Sequence, residues 1–405
     1  MKKVPIAISN ALADVRYEIR GQLAHRAAEL EKQGYEIISL NIGNPGRFGF
    51  RTPETMRLAM IENLGLAEPY SHQKGIFPAR EAVVMQQQDR GVTGMTADDV
   101  FIGNGVSELI DLSLRALLNP GDEVLVPSPD YPLWSAAVVL NGGVVRHYQC
   151  PAENSFIPDI ENLESLISPR TRAIVIINPN NPTGAVYDRA SLQQIVDLAE
   201  MHQLVLMSDE IYDQMVYDDA VFCPLAPMVE DTVCLTYSGL SKVYRACGYR
   251  VGWCVVHGDE AVAGNLKQAM ELLASLRLCS NVPGQWAVQT ALGGFQSIRD
   301  LVVPGGRLYQ SRQAIIDAVA GSPYLSMIPP QGAMYAFIRL DQSISSRWDD
   351  RQFALSLLES KHVLVAPGSS FNTPYTDHFR ITTLPDPDTI SEVFSRINSL
   401  LEQVA

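Results

Sequence analysis

The chain has 405 residues, of which 46% are hydrophobic and 19% charged, a balance typical of a soluble protein with a large core. It has 31 lysine and arginine residues against 45 aspartate and glutamate residues, and the resulting net charge of −14 makes nucleic acid and anionic membranes poor partners. The length predicts two domains, or one large α/β domain with an appendage.

The N-terminal segment has two lysines but no apolar run long enough for a signal peptide. No apolar run reaches the roughly 18 residues that a transmembrane helix needs. The six cysteines form no C-x-x-C pair, which favours reduced thiols, and the seven histidines lack metal-ligand spacing. We therefore expect a cytoplasmic protein without a metal site.

The predicted elements begin with an amphipathic helix or arm over residues 10–33. Between about 98 and 256, short apolar runs alternate with helix-length segments, a pattern that predicts strands of a mostly parallel sheet buried on both faces. The runs are VFIG, EVLVPSP, AIVIINP, LVLMSDE, VCLTYS and VGWCVVH. Between the first two, Leu109, Leu112, Ala116 and Leu117 recur on one helix face, and NPGD ends that helix.

The C-terminal residues 307–405 mix helices with short strands, such as AMYAFIRL and HFRITTL. The predicted architecture is α/β, a large domain with a mostly parallel sheet plus a smaller α+β domain. Its boundaries are an N-terminal arm and small-domain segment at 1–45, the large domain at 46–300 and the small domain at 301–405. Ligands of open α/β sheets bind beyond the carboxyl ends of the strands, so the residues at those ends are the candidates for a site.

The first strand end carries GNGVSEL, a glycine-rich turn that opens a helix at Val106 and Ser107. Free backbone N–H groups and the helix dipole make such a turn suited to phosphate, although a plain strand–helix turn looks the same in sequence. A dinucleotide fingerprint would need a third glycine where this chain has Glu108, so a nicotinamide site is disfavoured.

The next strand ends present one candidate side chain after another. Tyr131 follows EVLVPSP and could stack on a flat ligand or pack in the core. The loop NPNNPTG at 178–184 fixes its asparagines between prolines. Asp209 ends an apolar run, so it needs a cationic or hydrogen-bonding partner, and Tyr212 follows three residues later.

The last of these strands leads into SGLSKVYRACGYRVGW, which contains Lys242 and Arg250. One ligand satisfies the whole set, a flat phosphorylated pyridine aldehyde. Its phosphate needs a helix N-terminus and an arginine, its ring a stacking aromatic, its ring nitrogen a carboxylate, its phenolate oxygen two hydrogen-bond donors and its aldehyde a lysine.

The order GNGVSE, PDYPLW, NPNNPTG, SDEIY, SGLSKVYRACGYR, HFRITTL resembles the class I/II aminotransferases of fold type I, which use pyridoxal 5′-phosphate. The resemblance runs from Gly43 to Leu384. The segments YEIRG, LNIGNPGRFGF, IGNGVSELI and DYPLW are most similar to the glutamate–pyruvate (alanine) aminotransferase branch.

The resemblance implies a role for each residue around the cofactor ring. Lys242 would bind the cofactor covalently and, once freed by substrate, transfer the proton at the substrate Cα. Asp209 would pair with the pyridinium nitrogen. Asn181 and Tyr212 would bind the phenolate oxygen, with Asn181 also near the substrate, and Tyr131 would stack on the ring.

The resemblance also implies a phosphate site made by Gly105, Val106, Ser107 and Arg250. Tyr70, in YSHQKG, matches a tyrosine that reaches the phosphate of the neighbouring subunit, which implies a homodimer with shared sites.

The substrate α-carboxylate is expected to bind Arg380, helped by the backbone of Gly43. One position departs from many relatives, which have a phosphate-binding serine three residues before the lysine. This chain has Gly239 there, flanked by Ser238 and Ser241, and Ser241 is the expected substitute.

A glutamate-using enzyme must also bind a distal carboxylate. Tyr17 and Arg20, in the segment RYEIRG, could fold over the site, and Arg20 is the hypothesis for that carboxylate, with Arg277 as the second candidate. The expected function is an alanine/glutamate aminotransferase that works by a ping-pong route. Three alternatives stay open. The same fold could act on another amino acid, it could catalyse another pyridoxal-phosphate reaction such as that of a lyase, decarboxylase or oxidase, or the chain could be a non-enzymatic binding protein of this fold.

Overall fold

A computed structural model describes residues 6–15 and 21–404 of the chain. Within those residues, no helix combines the length and the apolar composition that crossing a membrane would require. The strands, numbered β1 to β13, are Ile38–Ser39, Val100–Gly103, Glu123–Ser128, Val144–Gln149, Thr171–Ile177, Val205–Asp209, Cys234–Gly239, Gly252–His257, Leu325–Met327, Tyr335–Leu340, Val363–Leu364, Ala366–Pro367 and His378–Thr382.

The α-helices of the same residues are numbered in chain order. Helices α1 to α14 are Gln22–Lys32, Glu54–Glu62, Phe77–Asp89, Val106–Leu117, Leu133–Leu140, Ile160–Ser165, Arg189–Met201, Glu260–Leu276, Val282–Gly293, Arg299–Val302, Arg307–Ala320, Gln342–Ser345, Asp350–Lys361 and Pro387–Leu401.

The large sheet has the strand order β2-β8-β7-β6-β5-β3-β4. Its strands are parallel except β8, which runs antiparallel to β2 and β7. Both faces are covered, because alternate residues of one strand pack into different apolar layers. In β5, Ile174 and Ile176 belong to one layer, while Ala173, Val175 and Ile177 belong to the other. The α/β fold expected from the sequence is therefore confirmed.

The six apolar runs all form strands of this sheet, but a seventh strand, β4, was not predicted. It lies at the sheet edge and pairs only with β3 in the described residues. The side chains of β4 are exposed or half-buried, and only that of Tyr148 is fully buried. A strand that is only partly buried and has an internal arginine, Arg146, gives no continuous apolar run, so the pattern used for the other six could not detect it.

Only part of the helix or arm predicted over residues 10–33 forms a long helix. Asn10–Asp14 forms a 3₁₀ helix, and α1 covers Gln22–Lys32. Helix α1 packs Ala27 and Leu30 against Leu358 and Leu364.

The second sheet is antiparallel, with the order β12-β13-β10-β9. Helices α11, α13 and α14 supply much of its apolar core, and Leu40 from the N-terminal part of the chain is buried in the same core. The strands β10 and β13 hold Tyr335 and Arg380. The short pair β1–β11 and the segment after it bring Gly43 toward the large sheet.

Candidate active site

A cavity of about 550 Å³ lies where the carboxyl ends of β5, β6 and β7 meet the second sheet. Parallel strands end at the same edge of a sheet, which is why loops distant in sequence converge here. Eleven of the residues expected at the site line this cavity. They are Gly43, Val106, Ser107, Tyr131, Asn181, Asp209, Tyr212, Ser241, Lys242, Arg250 and Arg380.

Lys242 lies in the tight loop after β7, and its Nζ donates to the carbonyl of Gly43 at 2.8 Å. The loop is closed by backbone bonds from Arg245 to Lys242 and from Ala246 to Leu240. The amine is half-buried and faces the cavity. A lysine amine that reaches a cavity has the chemistry of a nucleophile and of a proton carrier.

Asp209 ends β6 and is 4% exposed. Burial raises the pKa of its carboxyl to about 6, although the Trp134 indole, the Ile211 amide and the charge of Lys242 act in the opposite direction. The indole N–H of Trp134 donates to Asp209 Oδ2 at 3.1 Å. A buried carboxylate with a raised pKa is stabilised by a cationic partner, and the cavity gives such a partner access.

Arg380 is 1% exposed and is held in a polar and aromatic frame. Its Nη1 donates to Asn181 Oδ1 at 2.7 Å, and its Nη2 donates to the carbonyl of Asn41. The guanidinium lies between two rings, 4.1 Å from the ring centre of Tyr335 and 4.5 Å from that of Phe371. A desolvated, oriented guanidinium of this kind suits a carboxylate ligand.

The small cup where the sequence predicts a phosphate is built from glycines, the start of α4 and Arg250. Gly105 has φ +83°, a conformation that favours glycine, and a Cβ there would collide with Arg250 Nη2. A Cβ at Gly252 would lie 2.5 Å from the amide nitrogen of Val106. Arg250 donates to the carbonyls of Asn104 and Cys247 at 3.2 and 3.1 Å. The backbone amides at the helix start and the guanidinium therefore share one small region.

The structure gives a physical reason for Gly239. It pairs with Gly252 across β7 and β8, and a Cβ at position 239 would lie 2.8 Å from the Val251 carbonyl and 2.9 Å from the Gly252 Cα. A serine there would press on backbone that has little room to move. Of the two neighbouring serines, Ser238 is buried within β7, whereas Ser241 lines the cavity.

Some of the expected residues lie elsewhere. Tyr70 is 78% exposed and is outside the cavity lining. Arg277 donates to the carbonyl of Ile102 at 2.9 Å and pairs with Glu108 at 3.3 Å. Tyr17 and Arg20 lie outside the described residues.

Sequence reasoning missed two aromatic partners of the site, Trp134 and Tyr335. Trp134 belongs to the DYPLW motif, and its position at the start of α5, after a strand end, was the available signal. Tyr335 begins a strand whose residues read as ordinary core, so its sequence offered no comparable signal. Cys247 also lines the cavity, with its Sγ 2.9 Å from the carbonyl of Ser241.

Comparison with known proteins adds independent information. The sequence model of the family described as aminotransferase class I and II matches residues 35–397. Glutamate-pyruvate aminotransferase AlaA of Escherichia coli K12 is 46% identical over 397 residues, 98% of each chain. An alanine aminotransferase of Mycobacterium bovis is 49% identical over 98% of this chain and 92% of its own length. A crystal structure of an aminotransferase from Escherichia coli matches with a TM-score of 0.96 and 46% identity, covering 98% of this chain and 99% of that one.

Proposed function

The chain belongs to the class I and II aminotransferase family, and from that premise we propose a pyridoxal 5′-phosphate enzyme that exchanges amino groups between alanine, glutamate and their 2-oxo acids. The observation that carries the proposal is the convergence of Lys242, Asp209 and Arg380 on one cavity. Two of the relatives are named for the glutamate–pyruvate or alanine reaction. Pyruvate and 2-oxoglutarate are accordingly the proposed acceptors.

The residues present fit the cofactor. Asp209 is a buried carboxyl whose pKa is raised to about 6 by burial, and a protonated pyridine nitrogen would supply the cation that stabilises its ionised form. Gly105 lies close to Arg250, and Gly252 lies close to the Val106 amide, so neither position has room for a side chain. This close packing keeps the amides at the start of α4 and the guanidinium together, as a phosphate would require. Ser107 and Ser241, both on the cavity lining, would add hydroxyl donors for the phosphate.

The ring would be held from several directions. Tyr131 would stack on it, and Asn181 and Tyr212 would donate to its phenolate oxygen. The pKa of Tyr212 is raised, first by burial and then by its neighbour Tyr335, so its hydroxyl stays protonated and able to donate. When bound, the cofactor supplies an electron sink for the charge that develops at the substrate Cα.

Lys242 would carry out the proton transfer at the substrate Cα. Its amine lies on the cavity wall and, in the described structure, donates to the carbonyl of Gly43. Arg380 would bind the α-carboxylate and fix the substrate, since its guanidinium is already oriented by Asn181. The Gly43 backbone lies on the same wall.

A panel of donors and acceptors tests the reaction. Alanine with 2-oxoglutarate should give glutamate and pyruvate with ping-pong kinetics, and the reverse reaction should also proceed. Lys242→Ala should lose both the activity and the visible absorption of the bound cofactor. Formation of ammonia, carbon dioxide or peroxide without amino transfer would support the alternative, another pyridoxal-phosphate reaction on the same fold. Absence of any cofactor spectrum in the wild-type protein would contradict the proposal.

For the distal carboxylate of glutamate we propose Arg20, with Tyr17 beside it. Arg277, the second candidate, is already paired with Glu108 outside the cavity lining. Arg20→Ala should raise KM for glutamate by about ten-fold or more while changing KM for alanine little, because alanine has no distal carboxylate. Equal losses with both donors would remove Arg20 from this role.

We propose a homodimer in the cytoplasm. Exposed apolar side chains precede Tyr70 in the chain, including Ile61, Leu64 and Leu66, each more than 50% exposed. If Tyr70 completes the partner's phosphate site, mixing Lys242→Ala with Tyr70→Ala subunits should restore activity, because hybrid dimers contain one intact site. No gain on mixing would contradict shared sites. All six cysteines are free thiols, which fits a reducing compartment.

A further inference from the structure

Tyr335 lines the cavity although no sequence motif marks it. It is the first residue of β10 and is 3% exposed. Register pairs Phe337 with Arg380 and Tyr335 with Thr382, so Tyr335 and Arg380 are diagonal neighbours on one face of the antiparallel sheet. The Arg380 guanidinium consequently lies 4.1 Å from the centre of the Tyr335 ring.

The hydroxyl of Tyr335 has a second set of contacts. The Tyr212 O–H donates to it at 3.3 Å, and the two rings meet edge to face with centres 6.0 Å apart. A Cβ on Gly43 would collide with the Tyr335 hydroxyl. The phenol therefore occupies the space that a side chain at position 43 would need, next to the carbonyl that accepts from Lys242.

The charges around this phenol favour its role as an acceptor. Burial is the largest single influence and raises the pKa of Tyr335, but the positive charges of Lys242 and Arg380 and the hydrogen bond from Tyr212 together outweigh it and lower the pKa. The neighbouring Cys247 acts in the opposite direction and raises the pKa of Tyr335. Tyr212 shows the complementary shift, a raised pKa, as expected for the donor of the pair.

We propose that Tyr335 is a positioning residue of the transamination site, whose ring holds Arg380 for the substrate carboxylate and whose hydroxyl sets the donor strength of Tyr212. This inference rests on the proposed function for its substrate and its cofactor. It assigns two separable tasks to one side chain, because the ring faces the guanidinium while the hydroxyl faces Tyr212.

The role of the Tyr335 hydroxyl follows from the number of hydroxyl hydrogens that Tyr212 can donate. Tyr212 has one hydroxyl hydrogen and can give it to one acceptor at a time. When Tyr212 donates to the cofactor's phenolate oxygen, Tyr335 can reverse its role and donate to Tyr212, and a phenol that accepts a hydrogen bond is the stronger donor. Tyr335 thus accepts from Tyr212 in one arrangement and donates to it in the other.

Two substitutions separate the tasks. Tyr335→Phe keeps the ring and removes the hydroxyl, so KM should stay within about two-fold for all substrates. The pH midpoint of the cofactor's visible spectral change should rise by about half a unit, because the oxygen that Tyr212 serves is less well stabilised as an anion. Tyr335→Leu removes the ring as well, and KM should rise about ten-fold for every substrate, since all share the α-carboxylate.

A matched control removes a buried hydroxyl nearby. Tyr217 is 1% exposed and donates to the carbonyl of Ala333 at 3.0 Å, but it does not line this cavity. Tyr217→Phe should lower stability without moving the spectral midpoint. If Tyr335→Leu does not fold, Phe371→Leu removes the opposite ring beside Arg380 and should raise KM without moving the midpoint.

Ultraviolet titration of the apoprotein tests the arrangement independently of any activity. The wild-type protein should show a phenol that ionises below the ordinary tyrosine range of about 10, and Tyr335→Phe should lack that step while Tyr217→Phe retains it. An unchanged titration and an unchanged spectral midpoint in Tyr335→Phe would overturn the hydroxyl role. A KM in Tyr335→Leu no higher than in Tyr335→Phe would overturn the ring role. Failure of the wild-type protein to transaminate would instead count against the proposed function and leave the titration result standing.

Discussion

Replacing Gly252 by alanine should weaken binding of the cofactor phosphate. The new Cβ would lie 2.5 Å from the Val106 amide nitrogen and 2.8 Å from the Gly105 carbonyl carbon, and both are backbone atoms. Ordinary contact begins at 3.4 Å, so the amide must move by about 0.9 Å. A hydrogen bond to a charged phosphate, worth about 1.5–3 kcal/mol, would be lost, which corresponds to an affinity about ten- to hundred-fold lower.

The assay compares two ligands on the same apoprotein. Pyridoxal 5′-phosphate and pyridoxal share the ring and the aldehyde, and only the first carries the phosphate. Gly252→Ala should weaken the first about ten- to hundred-fold and leave the second within about two-fold. Gly293→Ala is the matched control, because a Cβ at position 293 in α9 meets nothing within 4 Å.

The comparison of the two ligands also separates a local effect on phosphate binding from a general loss of folding stability. Overpacking lowers the free energy of unfolding by about 1–3 kcal/mol, and urea unfolding of the apoprotein measures that loss. A protein that was merely less stable would bind both ligands less well. Equal losses for pyridoxal and its phosphate, or no loss for either, would refute the claim that Gly252 sets the position of the α4 amides.

Three other variants probe buried carboxylates and their partners. Arg90 pairs with the buried carboxylates of Glu210 and Asp213, so Arg90→Met should lower the free energy of unfolding by about 3–5 kcal/mol, and a loss below about 1 kcal/mol in urea would contradict this. The pKa of Asp209 is raised to about 6 from an unfolded value of about 3.9, so wild-type apoprotein should lose stability as pH rises through that window. Asp209→Asn should therefore gain stability relative to wild type between pH 4 and pH 7, by at most about 3 kcal/mol, whereas a constant difference in urea unfolding would be inconsistent. Trp134→Phe removes the indole donor to Asp209, raises that pKa further and should weaken cofactor binding more at about pH 6 than at about pH 8 in a titration of the apoprotein; equal weakening would argue against it.

The large sheet could be predicted because six of its strands are buried on both faces and read as continuous apolar runs. The edge strand β4 is only partly buried, so its run is interrupted by polar residues such as Arg146 and His147. Partial burial also explains the N-terminal arm. The sequence predicts a single amphipathic helix or arm over residues 10–33, but α1 begins only at Gln22. An apolar pattern arises from buried residues, so it locates helices and strands less accurately where they are only partly buried.

The site residues at strand ends could be predicted because the end of a parallel strand fixes where the next side chains point. Asp209 is the clearest case, since it closes an apolar run with a charge. Arg380 was identified only through the family resemblance, because an arginine in a strand has no distinctive local signal. Tyr335 was missed because its role depends on register with β13 and on Gly43, neither of which is visible from the sequence around it.

The two halves of the cavity are supplied by different parts of the chain. The cofactor side, from Gly105 to Arg250, comes from one continuous stretch. The carboxylate side joins residues 41–43 to Arg380 on β13, which is central to the second sheet. During synthesis, every residue of the first half leaves the ribosome before β13 does, so the carboxylate side is necessarily completed last. The core beneath the large sheet also includes C-terminal residues such as Met334 and Phe371, so the first half gains its full packing only at that same late stage.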